Sequence, residues 1–241
     1  MVNGLQPILW TPGAGRGWCG EPGRAARQGA EPTLLLIDRE AGSVRRQLPA
    51  LLQLLSEEEQ GRWQRYRRAE DRERFLLGRG GLRLALGAVL QRDPTSLRFT
   101  AGDHGKPLLK GEGWAALAPQ FNLSHSGRYV LLGLHWGGAL GVDLEQVRAD
   151  LPWAPIAERW LAGQVQNSIS RLPLEEQALA FYRHWCRLEA ELKARGVGLF
   201  GAEGRGVRWG VERHSGAACG WDLCLQPGYI GAVVCLPQAS P

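Results

Sequence analysis

The run GVDLEQV at residues 141–147 places two carboxylates, Asp143 and Glu145, two positions apart. In a strand successive side chains alternate faces, so both acids project from one side while Val142 and Leu144 go to the other. Two carboxylates on one face repel each other unless water or a cation separates them. Oxygen ligands of this kind suit Mg²⁺, which is commonly held by one or two carboxylates together with substrate phosphates. A solvated strand edge is the plain alternative. A second candidate lies in HWCRLEAELKARGVGLF, residues 184–200. At about 100° per residue, Glu189 and Lys193 fall one turn apart at the edge of an apolar stripe that includes Phe181, Trp185, Leu188 and Leu192. Glu189 is there able to face the strand pair as a third carboxylate, with Lys193 suited to a substrate phosphate. Taken alone, the two make an ordinary surface ion pair one turn apart.

Two further groups of residues could handle an anion. In FNLSHSGRY, His125 sits between Ser124 and Ser126. It could donate to a phosphate, act as a base, or be a hydrogen-bonded structural histidine. No G-x-S-x-G elbow surrounds either serine, which speaks against a serine triad. Arg62, Arg65, Arg67, Arg68, Arg72, Arg74 and Arg79 crowd a helical stretch. Most should be solvated or paired with glutamates, while a minority could grip phosphate through the guanidinium fork. HGKP adds Lys106 and Pro107 in a glycine turn, where backbone N–H groups and an ammonium can approach an anion.

These residues need elements to hold them. TLLLIDRE reads as a short strand, and the stretch from Leu48 to Asp93 carries helical periodicity with a capping-box start at Ser56–Glu59. It should hold two or three helices, a long one over about 71–91. LRFTAGDHGKPLL reads as strand, turn and return. FNLSHSGRYVLLGLHWGGALGVDLEQV reads as two antiparallel strands joined at HWGG. A second helical region covers 173–196, and the tail closes in strands. Helices followed by strands thus occur twice, which fits an α+β fold of two similar halves meeting near residue 140. Residues 1–31, rich in Gly, Pro and Arg, read as a loose arm.

Composition bounds the rest. The chain has 241 residues, 44% hydrophobic and 22% charged, long enough for one large domain or two small ones. A net charge of +5 suits an acidic or phosphate-rich partner and is too small to indicate nucleic acid. Five cysteines without CxxC spacing argue against a zinc site or a disulfide framework, and for a reducing cytosol. No signal peptide or membrane-spanning run is evident, so a soluble cytoplasmic protein is expected.

In their order and spacing, HGKP, FNLSHSGRYVLLGL, GVDLE and FYRHWCRLEAELKARGVGL resemble the 4′-phosphopantetheinyl transferases, and most of all the pseudo-dimeric surfactin-synthetase-activating type. The match runs from about residue 56 to 235, and EDRERFLLGR, with Glu70, Asp71 and Arg74, fits the family's N-terminal helix. The resemblance implies two halves, 32–140 and 141–241, each a small mainly antiparallel sheet packed with a long helix, with the site at their interface. It implies a Mg²⁺-dependent enzyme, acting as a monomer, that moves the phosphopantetheine arm of coenzyme A to a serine of an apo acyl or peptidyl carrier protein and releases 3′,5′-ADP. Carried over by motif, Asp143, Glu145 and Glu189 would hold Mg²⁺, with Glu189 also the candidate base and Lys193 on the phosphates. Arg62, Arg74, Ser124 and His125 would lie near the 3′-phosphoadenosine end, and Lys106 and Pro107 would border the nucleotide. One departure stands out. The family's helix usually reads W-x-x-K-E-x-x-x-K, and here Leu188 precedes the glutamate; Arg187, about 160° around the helix from Glu189, should face elsewhere. That leaves room for a weakened relative that binds coenzyme A or a carrier protein without efficient transfer. An unrelated Mg²⁺-dependent phosphoryl-transfer enzyme would account for the acidic trio alone.

Overall fold

Two helices of 22 residues each, Ala69–Leu90 and Leu174–Arg195, carry the architecture. The computed structural model describes residues 32–102, 105–111, 117–199 and 219–237. The arm expected over 1–31 lies outside these residues, as do His104 of the HGKP turn and part of the strand-rich tail. In chain order the elements are β1 (Thr33–Asp38), α1 (Gly42–Arg45), α2 (Leu48–Leu54), α3 (Glu57–Arg65), α4 (Ala69–Leu90), β2 (Arg98–Ala101), β3 (Pro107–Lys110), β4 (Gln120–Ser126), β5 (Tyr129–His135) and β6 (Leu140–Gln146). Then follow α5 (Trp153–Trp160), α6 (Gly163–Ser170), α7 (Leu174–Arg195), β7 (Cys219–Cys224) and β8 (Tyr229–Cys235).

The strands form antiparallel sheets in the orders β1-β5-β4 and β6-β8-β7, with β2 and β3 as a separate ribbon. The two three-stranded sheets repeat one plan. In each half a strand leads through a long helix to two further strands, and the last strand inserts between the other two: β1, α4, β4, β5, then β6, α7, β7, β8. The fold is therefore α+β with two similar halves. The local signals behave as their chemistry requires. Ser56 accepts from the Glu59 backbone N–H while the Glu59 carboxylate accepts from the Ser56 N–H, closing the capping box that opens α3. Gly196, at φ 68°, ends α7 in the left-handed conformation that glycine adopts without steric cost.

One reading of the sequence needs correcting. The chain from 121 to 147 makes three strands, and its tight turn is at Gly127–Arg128, where Ser126 pairs with Tyr129. HWGG does connect β5 to β6, but β6 leaves the first sheet and pairs with β8. Alternation alone marks a strand without naming its partner.

Four layers result. Leu76, Leu77, Leu82 and Leu86 of α4 pack on Ile37, Val130 and Leu132 of the first sheet. The opposite face of that sheet, with Leu34 and Leu131, packs on Leu140, Val142, Leu144 and Val233 of the second. Beyond it, Cys186, Ala190 and Ala194 of α7 cover Ala232 and Val234. A side cluster joins α5 and α6 to Phe181, Tyr182, Leu188 and Leu192 of α7.

Candidate active site

The approach of α7 to β6 creates the site. A Cβ on Gly141 would collide with the carbonyl oxygen of Ala190 and the amide nitrogen of Ala194, so helix and strand touch backbone to backbone. Small residues on both sides make this possible. Strand alternation then works as expected: Val142 and Leu144 enter the core between the sheets, while Asp143 and Glu145 alternate with them on the other face.

Lys193 reaches the strand. Its Nζ lies 2.6 Å from Asp143 Oδ1 and 3.1 Å from Ser124 Oγ, and the serine hydroxyl donates to the same Asp143 oxygen at 2.9 Å. Asp143 is 3% exposed, and its second oxygen, Oδ2, is buried with no hydrogen-bond partner. Burial pulls the Lys193 ammonium down, but Asp143's charge and hydrogen bond outweigh it and hold it above the usual lysine range. Glu145 is pushed up to about 7 by burial and then by the negative charge of Asp143, with Ser126 pulling the other way. Burial and Asp143 also raise Glu189, against the pull of Lys193. The three carboxylates therefore feel one another, which is the condition a cation relieves.

Among the described residues no three His, Cys, Asp or Glu side chains stand as a finished metal cage. The chemistry of the set nonetheless fits Mg²⁺. All its donors are oxygens, one carboxylate oxygen is buried and unpartnered, and Glu145 and Glu189 are driven toward protonation by burial and then by like charge.

The opposite side of β4 opens into a cleft of about 190 Å³ bordered by α3, α4 and the β2–β3 turn. Arg62, Arg74, Pro107 and His125 all line it, together with Asp71 and Arg79. Strand geometry separates the neighbours Ser124 and His125. His125 takes the cleft face with Leu123, and Ser124 takes the carboxylate face with Ser126. Ser124 thus lies beside Asp143 and Lys193. Burial lowers the His125 imidazole below its usual range, and the charges of Arg74 and Lys193 add to this. Arg74 donates through Nε to the Gly127 carbonyl and pairs with Asp71 at 2.7 Å. Arg62 lies over the Phe75 ring. Lys106 turns to the protein: its Nζ donates to the carbonyls of Lys193 at 3.1 Å and Leu140 at 3.4 Å. It thereby ties the β2–β3 turn to the last turn of α7.

A second cavity of about 560 Å³ adjoins the cleft and shares Arg62, Phe75 and Arg79 with it. Beneath it, Glu59 pairs with Arg79 at 3.2 Å and with the buried Arg83 at 2.7 Å. Most of this network escaped the sequence reading, although the 3.6-residue period does put Arg79 and Arg83 one turn apart. Position 188 follows the apolar stripe read from the sequence. Leu188 is 3% exposed and packs with Trp160, Ile169 and Leu192, so it faces α5 and α6. Arg187 does face elsewhere, donating through Nε and Nη2 to Asp222 on β7 at 2.7 and 2.5 Å.

Comparison with known proteins identifies the family. Residues 42–135 match the family model described as "4′-phosphopantetheinyl transferase, N-terminal", and residues 139–210 match that of the 4′-phosphopantetheinyl transferase superfamily. A Synechocystis sp. protein provisionally named a 4′-phosphopantetheinyl transferase is 36% identical over 186 residues, 75% of each chain. The chain belongs to the 4′-phosphopantetheinyl transferase superfamily. The 4′-phosphopantetheinyl transferase HetI of Nostoc sp. is 36% identical over 153 residues, 64% of each chain. The 4′-phosphopantetheinyl transferase Sfp of Bacillus subtilis is 28% identical over 148 residues, 61% of this chain and 63% of its own. The two family models divide the chain at 135–139, the connection from β5 to β6 where it passes from the first sheet to the second.

Proposed function

We propose that this protein transfers the 4′-phosphopantetheine arm of coenzyme A to a serine hydroxyl of an apo acyl or peptidyl carrier protein, releasing 3′,5′-ADP. The observation that carries the reading is the carboxylate set on β6 and α7, buried at Asp143 and half-buried at Glu145 and Glu189, with Lys193 paired to Asp143 and a cleft lined with arginines and His125 behind it. Residues 32–140 and 141–241 are the two halves, and the repeated strand order supports that division. One chain supplies both halves, so the site can be built within a monomer, and we assign the protein to the cytoplasm.

Arg62, Arg74 and His125 bind the phosphoadenosine end, with Pro107 at its border. Asp143, Glu145 and Glu189 hold Mg²⁺, which when bound supplies positive charge to the pyrophosphate oxygens. The carrier serine oxygen attacks the phosphorus that bears the pantetheine. The bond from that phosphorus to the bridging oxygen breaks, and 3′,5′-ADP leaves with the electron pair. Glu189, half-buried and raised, takes the serine proton. Lys193 stabilises charge that grows on the phosphoryl oxygens, because its ammonium is held protonated and pre-oriented by Asp143.

Incubation with coenzyme A, Mg²⁺ and an apo carrier protein tests the reading. The carrier should gain the mass of one phosphopantetheine arm, and 3′,5′-ADP should appear in equal amount. Leu188, in place of the family's lysine, motivates the competing reading of a binding-only relative. That reading prevails if coenzyme A binds but the carrier mass never changes at high enzyme concentration.

A further inference from the structure

The turn that joins β4 to β5 belongs to the first half, yet other elements hold it residue by residue. Ser126 Oγ donates to Glu145 Oε2 at 2.8 Å and accepts from the Gln146 backbone N–H at 3.0 Å, both on β6. The Gly127 carbonyl accepts from Arg74 of α4 at 3.2 Å. Gly127 has φ 52°, and a Cβ there would collide with Gln146 Oε1 and Tyr229 Oη. The Arg128 N–H donates to Tyr229 Oη at 2.9 Å, and the Tyr229 ring meets Tyr129 edge to face. A hydroxyl has one hydrogen to give and lone pairs to accept with, and Ser126 uses both functions on one stretch of β6.

We infer that Ser126 is a positioning residue for Glu145. By donating its hydrogen to Oε2 while the Gln146 N–H locks its oxygen, it fixes the carboxylate's rotation and leaves Oε1 to face a cation. The inference rests on the reading of Glu145 as a metal ligand. Asp143 is anchored from two sides, by Lys193 and Ser124. For Glu145, Ser126 is the hydrogen-bond partner found among the described residues. Groups that orient a ligating carboxylate typically change metal affinity about 10- to 100-fold when removed.

The test uses the full chain with Mn²⁺ as a spectroscopic probe, its free concentration followed by electron paramagnetic resonance with coenzyme A present. Ser126→Ala should weaken Mn²⁺ binding about ten-fold or more. Its affinity for coenzyme A without cation should match the parent, and Ser126→Thr, which keeps the hydroxyl, should recover most of the loss. Tyr229→Phe loosens the same turn through Arg128 without touching Glu145, and should leave Mn²⁺ affinity unchanged. Equal weakening in Ser126→Ala and Tyr229→Phe would overturn the inference, since the effect would belong to the turn as a whole. So would unchanged Mn²⁺ binding in Ser126→Ala when Glu145→Ala is weakened. If Glu145→Ala also binds Mn²⁺ normally, the metal assignment itself falls, and the role of Ser126 falls with it.

Discussion

At the scale of single residues, the contact between Lys193 and Asp143 is central. Each charge is tolerated in its buried setting because the other is 2.6 Å away. Removing one partner of a buried pair costs about 3–5 kcal/mol, and Lys193 keeps 29% of its side-chain exposure, which points to the lower end. Lys193→Met should therefore lose roughly 3 kcal/mol in urea unfolding and at least about a hundred-fold in transfer rate. A variant that keeps either property would show that the ammonium is not needed there. Leu188 yields a second prediction with an unexpected sign. Supplying the family's lysine by Leu188→Lys puts an ammonium among Trp160, Ile169 and Leu192. It should destabilise the protein by several kcal/mol and leave the transfer rate no higher, as thermal melts and the carrier assay will report. Sequence pattern put Asp143 with Glu145 on one strand face, and Glu189 with Lys193 at one helix edge, because strand and helix periods translate directly into faces. The same periods, applied to Ser124–His125–Ser126, would have separated cleft from carboxylates; motif resemblance grouped Ser124 with His125 because it carries no direction. The burial of Leu188 was legible in the apolar stripe it shares with Phe181 and Leu192, but its partners on α5 and α6 were not, because no pattern within α7 names what covers the stripe.

At the scale of elements, the register between α7 and β6 decides whether those side chains meet. Glu189 and Lys193 lie on the helix, Asp143 and Glu145 on the strand, and Gly141 lets the backbones touch between them. A methyl group at 141 meets backbone on both sides, so no side-chain rotation relieves it. Gly141→Ala should cost about 1–3 kcal/mol or more, as overpacking does, and should push the helix outward from the strand. The expected signature is a loss of transfer larger than the loss of stability explains, measured at a temperature where the variant remains folded. Equal activity per folded molecule would mean that α7 need not sit this close. The two long helices were legible to within a residue or two because apolar residues recur at helical spacing over several turns of each. The pairing of β6 was not. HWGG reads as a hairpin, and only the long-range partner β8, about 90 residues away in sequence, takes the strand from the first sheet.

At the scale of the whole molecule, duplicated halves share a seam, and α7 links that seam to the second sheet's far edge through β7. His184 sits on that outer side, with one ring nitrogen, Nδ1, buried and without a hydrogen-bond partner. Burial pulls its imidazole down from 6.5 to about 4, the Arg187 and Arg183 charges push the same way, and Asp222 opposes them. The folded chain thus holds His184 neutral over a pH range in which the unfolded chain binds a proton. Stability from this group is complete above the unfolded value of 6.5 and is lost as pH falls toward the folded value of about 4. The span corresponds to about 3 kcal/mol at full burial, and less to the extent that water reaches the ring. Protonation would also place a cation beside Arg187 and compete for Asp222, the bond that ties α7 to β7. Urea unfolding at pH 7.5 and pH 4.5 should show the parent losing roughly 1–2 kcal/mol more over that interval than His184→Gln, which cannot take the proton. Comparing the two intervals cancels whatever the substitution costs at neutral pH. Parallel losses in both proteins would mean that acid acts elsewhere and that His184 is hydrated enough to titrate normally.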